Sequence, residues 1–147
     1  MIALRLATLD DLEAIHDTRG DAILGVQHPG IAPSGLREWA DRRSADFFRD
    51  RLASGVAVVA VAQGTVVGWG SWEGNRITAL YVRPSAGSRG VGRRLMEWME
   101  MQITTTGSAC VTLESSPNAV GFYKHLGYRP TRPPDERGAL PMERALG

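Results

Sequence analysis

The segment from Leu80 to Leu95 reads Leu-Tyr-Val-Arg-Pro-Ser-Ala-Gly-Ser-Arg-Gly-Val-Gly-Arg-Arg-Leu. It contains a short apolar run, a glycine-rich turn and the start of an amphipathic pattern. Glycine lets the backbone approach a ligand closely, and the free N–H groups at the start of a helix, with the helix dipole, favour phosphate oxygens. The segment therefore predicts a strand, a phosphate-binding turn and a helix.

The spacing within this turn excludes two common classes of phosphate site. A nucleotide P-loop closes with Gly-Lys-Ser or Gly-Lys-Thr, whereas Gly92 is followed here by two arginines. A dinucleotide-binding fingerprint requires a third glycine at the position of Leu95. Both motifs also occur early in a parallel sheet, and this turn follows a pattern typical of an antiparallel one.

The residues before the turn predict a three-stranded antiparallel meander. Apolar runs at 56–62, 66–72 and 76–82 are separated by two short glycine-containing turns. Pro84 ends the third run because proline supplies no hydrogen-bond donor to a sheet. The glycine-rich turn therefore lies directly after the last strand of the meander.

The rest of the chain predicts further helices and strands around this meander. The expected elements are a strand at Ile2–Ala7, a helix from Leu9 to about Ile15, a loop from Gly20 to Gly35, helical spacing from Leu36 to Leu52, a helix from Gly90 to about Ile103, a strand at Cys110–Leu113, a short helix from Pro117 to Leu126 and a final strand at Leu140–Leu146. Gly127 stands where a left-handed residue would end the short helix.

Length and composition indicate one domain spanning residues 1–147. The 147 residues are 43% hydrophobic, and a formal net charge of +1 with scattered basic residues argues against nucleic-acid binding. One cysteine and three histidines without metal-ligand spacing predict no metal site. Early charge and the lack of a long apolar run predict a cytoplasmic protein without a membrane partner.

Two separate motifs resemble the GNAT superfamily of acyl-CoA-dependent N-acyltransferases. The first, Gln/Arg-x-x-Gly-x-Gly/Ala after a strand, is matched by Gly87-Ser88-Arg89-Gly90-Val91-Gly92, with Gly87 where the family usually has Gln or Arg. The second, Asn-Ala-x-x-Phe-Tyr-x-x-x-Gly-Tyr/Phe, is matched from Asn118 to Tyr128. The order of predicted elements also fits, so the resemblance covers essentially the whole chain.

The resemblance implies an α+β GNAT fold, in which a mixed, mostly antiparallel sheet of about six to seven strands is flanked by about four helices and splays to form a cofactor cleft. It implies that acetyl-CoA is the acyl donor. The residues that it implies for cofactor binding are Leu80, Tyr81, Val82, Gly87, Ser88, Arg89, Gly90, Val91, Gly92, Arg93, Asn118 and Tyr123. Leu80 and Val82 would offer backbone groups to the pantetheine arm.

The expected reaction is direct attack of an amine on the acetyl carbonyl. The Leu80 backbone N–H would hold the oxyanion and Tyr123 would donate a proton to the departing thiolate. Glu73 is the first candidate for the general base, with Asp17 and Glu38 as weaker candidates. Each residue also has an ordinary structural interpretation: Asn118 as a helix cap, Tyr123 as core and the carboxylates as surface charges.

The acceptor is expected to be a small-molecule or peptide amine. The segment from His16 to Trp39, together with Trp69 and Trp72, is expected to set its identity, although aromatic residues there could equally be core. The family also allows a homodimer. Two other functions stay open: a CoA-binding module with lost or regulatory activity, and an α+β interaction domain without a cofactor.

Overall fold

The computed structural model describes residues 1–25, 32–41 and 44–147, with the backbone alone at 33, 45, 87 and 88. The strands of this described part are β1 (Ile2–Leu6), β2 (Ala57–Ala62), β3 (Thr65–Glu73), β4 (Arg76–Val82), β5 (Cys110–Ser115), β6 (Arg129–Pro130) and β7 (Leu140–Ala145). They form one sheet in the order β1-β2-β3-β4-β5-β7-β6. All neighbours are antiparallel except β4 and β5. The predicted mixed, mostly antiparallel α+β sheet is confirmed.

Within the same ranges, helices cover both faces of the sheet. They are α1 (Leu12–Gly25), α2 (Pro33–Asp41), α3 (Arg49–Ala53), α4 (Val91–Thr105) and α5 (Val120–His125). Short 3-10 turns precede α1, α3, α4 and α5. Gly127, after α5, has φ +97°, so the predicted left-handed residue at the end of this helix is confirmed.

The structure corrects two of the sequence predictions. The loop expected from Gly20 to Gly35 is helical at both of its described ends, because α1 continues to Gly25 and α2 begins at Pro33. The longer α1 buries Ile15, Arg19 and Ile23 at helical spacing. Burying one isoleucine stabilises by about 1.5–3 kcal/mol, which exceeds the cost of about 1 kcal/mol for a glycine inside a helix. The strand β6 was not predicted, because two residues carry no periodic signal. The expected turn at His28-Pro29-Gly30 lies outside the described residues.

Alternation along β3 directs its side chains to opposite layers of the molecule. Gly68 and Gly70 face α4, and a Cβ built on Gly70 would lie 2.5 Å from the Met99 side chain. Trp72 belongs to the same layer and packs edge-to-face against Trp98, with ring centroids 5.8 Å apart. Trp69 faces the opposite layer, where it joins the core beneath α1 and α3. The missing side chains at positions 68 and 70 let α4 lie close to the sheet.

A bulge in β4 opens the middle of the sheet. Ser71 pairs with Ala79 and Trp72 with Ile77, so Thr78 is the extra residue on β4. On its other side, β4 pairs with β5 at a single position, Arg76 with Thr112. A bulge bends and twists the strand that carries it. The two parallel strands therefore meet at one end and diverge toward their carboxyl ends.

An ion pair near the start of α1 gives the first prediction. Asp11 is buried and accepts from Arg5 Nη1 at 2.8 Å, from Arg5 Nη2 at 3.0 Å and from the Thr8 backbone N–H at 2.8 Å. These bonds, that from the Arg5 side chain above all, hold the pKa of Asp11 below its ordinary value of 3.8. Asp11→Asn should lower the free energy of unfolding by about 1–3 kcal/mol at neutral pH.

The pH dependence of that loss follows from the direction of the pKa shift. A lowered folded-state pKa stabilises the fold above the unfolded pKa of about 3.9, and the contribution disappears as pH falls through the lower folded value. Urea unfolding of both proteins at about pH 7 and at about pH 2.5 measures this. The difference between them should shrink in acid, and an equal difference at both pH values would contradict the assignment.

Candidate active site

The divergence of β4 and β5 creates a cleft of about 840 Å³. One wall is β4 from Ile77 to Val82, and the other combines the end of β5 with the segment up to Tyr123. Residues of α1 and α2, among them Ile23, Glu38 and Trp39, close one side. This volume lies within the range of about 300–1,000 Å³ typical of small-molecule and cofactor pockets.

The backbone of β4 presents unpaired polar groups to this cleft. The Arg83 N–H donates to the Val67 carbonyl on β3 at 2.8 Å. Because backbone polar groups alternate in direction along a strand, Val82 and Leu80 direct theirs away from β3. No strand of the described residues pairs with either position on that side, and both residues line the cleft. An extended ligand chain could pair with β4 there as an added strand.

The glycine-rich turn lies at the open end of the cleft, beyond the last residue of β4. Gly90 has φ +73°, a left-handed conformation that strains any residue with a side chain. It is the N-cap of α4, and the first helical hydrogen bond runs from the Arg94 N–H to the Gly90 carbonyl at 3.1 Å. The earlier N–H groups of α4 are therefore left without helical acceptors, as an anion site requires.

The arginines around this turn differ in how firmly they are held. Arg94 donates to the Ile2 carbonyl at 2.8 Å and so ties α4 to β1. Arg93 pairs with Glu97 at 2.9 Å, but both side chains are exposed, and such pairs contribute little stability. Arg89 is exposed. Arg89 and Arg93 are therefore the side chains near the turn that can exchange solvent or a weak partner for a phosphate.

The wall opposite β4 carries Asn118 and Tyr123. Asn118 lies in the 3-10 turn before α5 and accepts a hydrogen bond from the Ser116 hydroxyl at 2.9 Å. Tyr123 is buried in the packing of α5, with its ring 5.1 Å from Phe122 and 5.9 Å from Tyr128. Burial, with a smaller contribution from Tyr81, raises the pKa of Tyr123 above its ordinary value of 10.0. Its hydroxyl therefore stays protonated at neutral pH.

The positions of the candidate general bases do not follow the order of preference expected from the sequence, in which Glu73 came first. Glu73 is exposed at the β3–β4 turn, where it lies opposite Arg76 in the strand register at the closed end of the two diverging strands, and it does not line the cleft. The ion pair of Arg76 is with Glu114, at 3.7 Å. Asp17 is exposed on α1 and also lies outside it. Glu38 and Glu114 do line it. Glu114 was missed because the strand was expected to end at position 113.

A second, smaller pocket of about 270 Å³ lies beside the bulge in β4. It shares Trp39, Thr78, Ala79 and Tyr81 with the cleft, so the two cavities adjoin across the bulge. Its other lining residues are Arg19, Phe47, Phe48, Arg51, Trp69 and Ser71. Of the two tryptophans expected to set acceptor identity, Trp69 lines this pocket, whereas Trp72 lies in the core on the other face of the sheet.

The described residues contain neither a cluster of metal ligands nor a membrane-spanning helix. No group of three histidine, cysteine, aspartate or glutamate side chains in them could hold a metal ion. None of their helices is long and apolar enough to cross a membrane.

Solved structures similar to this chain share its fold over nearly its whole length. A GCN5-related N-acetyltransferase from Rhodopseudomonas palustris, also named aminotransferase, class-II, has a TM-score of 0.86 at 24% identity, covering 98% of this chain and 95% of that chain. PaiA N-acetyltransferase from Thermoplasma acidophilum, in complex with coenzyme A, has a TM-score of 0.85 at 18% identity, covering 99% of both chains. N-acetylglutamate synthase from Neisseria gonorrhoeae has a TM-score of 0.76 at 17% identity, covering 100% of this chain and 35% of that chain.

The family model gives the assignment that these fold similarities alone do not. No curated protein matches the sequence. The sequence model of the family described as the acetyltransferase (GNAT) domain matches residues 27–144, which is most of the chain. The protein therefore belongs to the GNAT acetyltransferase family.

Proposed function

We propose that the protein transfers the acetyl group of acetyl-CoA to the primary amine of a small molecule or peptide. The observation that carries this proposal is the splayed pair β4 and β5, whose cleft exposes the backbone of Leu80 and Val82 and opens toward the start of α4. These features suit the two ends of a CoA molecule: an extended arm that pairs with a strand, and a pyrophosphate that needs N–H donors.

The residues that would hold acetyl-CoA fall into two groups. The backbone of Leu80, Tyr81 and Val82 and the side chain of Asn118 would contact the pantetheine arm. The segment from Gly87 to Arg93 would hold the pyrophosphate, with backbone N–H groups as the main donors and Arg89 and Arg93 as the side chains within reach. Because those donors are mainly backbone groups, Gly87 in place of the usual Gln or Arg leaves this part of the site intact.

The chemistry requires one donor at the carbonyl oxygen and one at the leaving sulfur. When bound, acetyl-CoA supplies an acetyl thioester, on which a neutral amine forms the new C–N bond while the C–S bond breaks. The Leu80 backbone N–H donates to the carbonyl oxygen as negative charge develops there. Tyr123, which is kept protonated by burial, donates its proton toward the departing sulfur and recovers it from the nitrogen of the product.

The proton lost by the amine needs an acceptor at the other end of the reaction. An alkylammonium, with a pKa near about 10.4, must be neutral before it attacks. Glu38 and Glu114 are the carboxylates that line the cleft, and we place them ahead of Glu73 as candidate bases.

An acceptor screen tests this function. Purified protein is mixed with acetyl-CoA and with amines, aminoglycosides, polyamines or peptides, and free thiol and N-acetylated product are both measured. The proposal predicts equal amounts of the two with at least one acceptor. Binding of acetyl-CoA without acceptor-stimulated thiol release would favour a CoA-binding module, and no CoA-induced thermal stabilisation would favour an interaction domain without a cofactor.

The raised pKa of Tyr123 predicts the shape of the pH profile. Since the group titrates above its ordinary value of 10.0, kcat should not fall from its ionisation between about pH 8 and about pH 10. Stopped-time assays over this range, with circular dichroism to show that the protein stays folded, measure the profile. A loss of activity below about pH 10 that is absent from Tyr123→Phe would contradict this assignment.

A further inference from the structure

The smaller pocket beside the β4 bulge has an unusual set of polar groups. Among the described residues, its charged lining side chains are two arginines, Arg19 and Arg51, with no aspartate or glutamate beside them. Within the part of the chain that the structure describes, no ion pair joins either arginine to a carboxylate. The pocket therefore offers positive charge without an acidic partner of its own.

Arg19 is the more deeply placed of the two. The residue is 5% exposed, and its guanidinium carbon lies 5.8 Å from the centroid of the Tyr81 ring. Nη1 donates to the Ala40 carbonyl at 3.0 Å and Nη2 to the Trp39 carbonyl at 3.4 Å. Those bonds cap the carboxyl end of α2, but they use only two of the five N–H donors of a guanidinium. A buried cation with unused donors is stabilised by an anion.

Trp69 provides a second and independent sign of a missing acceptor. The residue is 1% exposed, and its Nε1–H is a buried donor that finds no hydrogen-bond acceptor among the described residues. Such a donor costs about 1–3 kcal/mol unless something accepts from it. The nearby hydroxyls of Ser71 and Thr78 bond to each other at 2.7 Å, and neither of them accepts from the indole N–H.

The position of the pocket connects these donors to the proposed reaction. The four residues that it shares with the cleft include Thr78 and Ala79 of β4, next to Leu80. A molecule in the pocket therefore lies across the strand from the proposed thioester. Aromatic rings of Trp39, Phe47 and Phe48 supply an apolar surround for such a molecule.

We propose that this pocket binds a carboxylate of the acceptor, so that the substrate is an amine that also carries a carboxylate group, such as an amino acid with an apolar side chain. Arg51 and the free donors of Arg19 pair with the carboxylate. Its amine is then directed past Thr78 toward the acetyl group. This inference rests on the proposed acetyltransferase function and names the class of its acceptor.

Matched acceptors test the preference directly. Phenylalanine carries the carboxylate, phenylalaninamide replaces it with a neutral group of similar shape, phenethylamine removes it, and the corresponding aminophosphonate replaces it with a different anion. We expect kcat/KM for the amino acid to exceed that for the amide and the amine by about tenfold or more, as loss of a charge-assisted pair implies. The same comparison is made with leucine and leucinamide.

A pair of arginine variants separates recognition from folding. Arg51→Gln removes a charge from the pocket, whereas Arg49→Gln removes one from the same short helix at an exposed residue paired with Asp46 at 3.0 Å, outside the pocket. Arg51→Gln should raise KM for the amino acid by about tenfold with little change in kcat, and should leave KM for the amide unchanged. Arg49→Gln should change neither. Arg19 is less suitable because it also caps α2.

Binding without chemistry provides the second readout. Calorimetry compares N-acetylphenylalanine with its amide on the CoA-loaded protein, and the acid should bind more tightly by about tenfold. Amides that bind or react as well as acids, a preferred aminophosphonate, or an equal loss for acid and amide in Arg51→Gln would each overturn the inference. Failure of the proposed function is a different result: no thiol release with any amine, with or without a carboxylate.

Discussion

Replacing Tyr123 with phenylalanine should lower kcat by about a hundredfold or more with a good acceptor, because general acid catalysis typically contributes that much. The hydroxyl is the group removed, and the ring keeps its contacts with Phe122 and Tyr128. Affinity for acetyl-CoA should change little, since the proposed cofactor contacts of β4 and of the glycine-rich turn remain. Steady-state kinetics and calorimetry on the same preparation measure both quantities.

Tyr128→Phe is the matched control for that variant. It removes a buried hydroxyl five residues further along, one that donates to Glu100 at 2.5 Å and does not line the cleft. Glu100 also accepts from Arg144 at 2.7 Å, so the control weakens a structural network between α4 and β7. We expect Tyr128→Phe to lower thermal stability while kcat stays within about threefold of wild type. A loss for Tyr123→Phe no larger than that of the control would remove Tyr123 from the mechanism.

Replacing Gly90 with valine should weaken acetyl-CoA binding by about tenfold or more, which corresponds to about 1.4 kcal/mol. The side chain strains a residue at φ +73°, and it projects into the open space beside the start of α4 in which the pyrophosphate is proposed to lie. Calorimetric titration with acetyl-CoA measures the change.

Gly107→Val separates this effect from general strain. Gly107 follows the other end of α4 at φ +85°, and, as at Gly90, a Cβ built there meets no described atom within 4 Å. Both variants therefore carry similar backbone strain and comparable losses of stability, but only one alters the proposed pyrophosphate site. Equal affinities for acetyl-CoA in the two variants would contradict the assignment of the turn.

The fold was largely predictable because its signals are local. Turn residues and apolar runs predicted the three-stranded meander, and the glycine-rich turn predicted the start of α4. The bulge at Thr78 was not predictable, since it is a matter of register between strands rather than of composition. That bulge accounts for the opening between β4 and β5, so the cleft itself could be expected only from the family resemblance.

The positions of the two tryptophans along β3 already indicate that their side chains lie on different faces of the sheet. Positions 69 and 72 differ by an odd number, so in a regular strand their side chains point to opposite faces. The structure places Trp69 in the smaller pocket and Trp72 in the α4 core. The same alternation applies to β5, which is two residues longer than expected. Glu114 lies on the face of this strand away from the buried Leu113 and Ser115, so a strand drawn to position 115 would have made it a candidate.

The smaller pocket itself could not be predicted from the sequence. Arg19 lies on α1, Arg51 on α3 and Trp69 on β3. They adjoin only because α1 and α3 pack on the same face of the sheet, and no spacing along the chain encodes that contact.

A crystal structure of the protein with acetyl-CoA tests the central claim most directly. The account predicts the pantetheine arm between β4 and β5, hydrogen-bonded to the backbone of Leu80 and Val82, with the pyrophosphate against residues 87–93 and the thioester sulfur beside the Tyr123 hydroxyl. Acetyl-CoA bound elsewhere, or bound in the cleft with its sulfur far from Tyr123 and its carbonyl far from the Leu80 N–H, would contradict it.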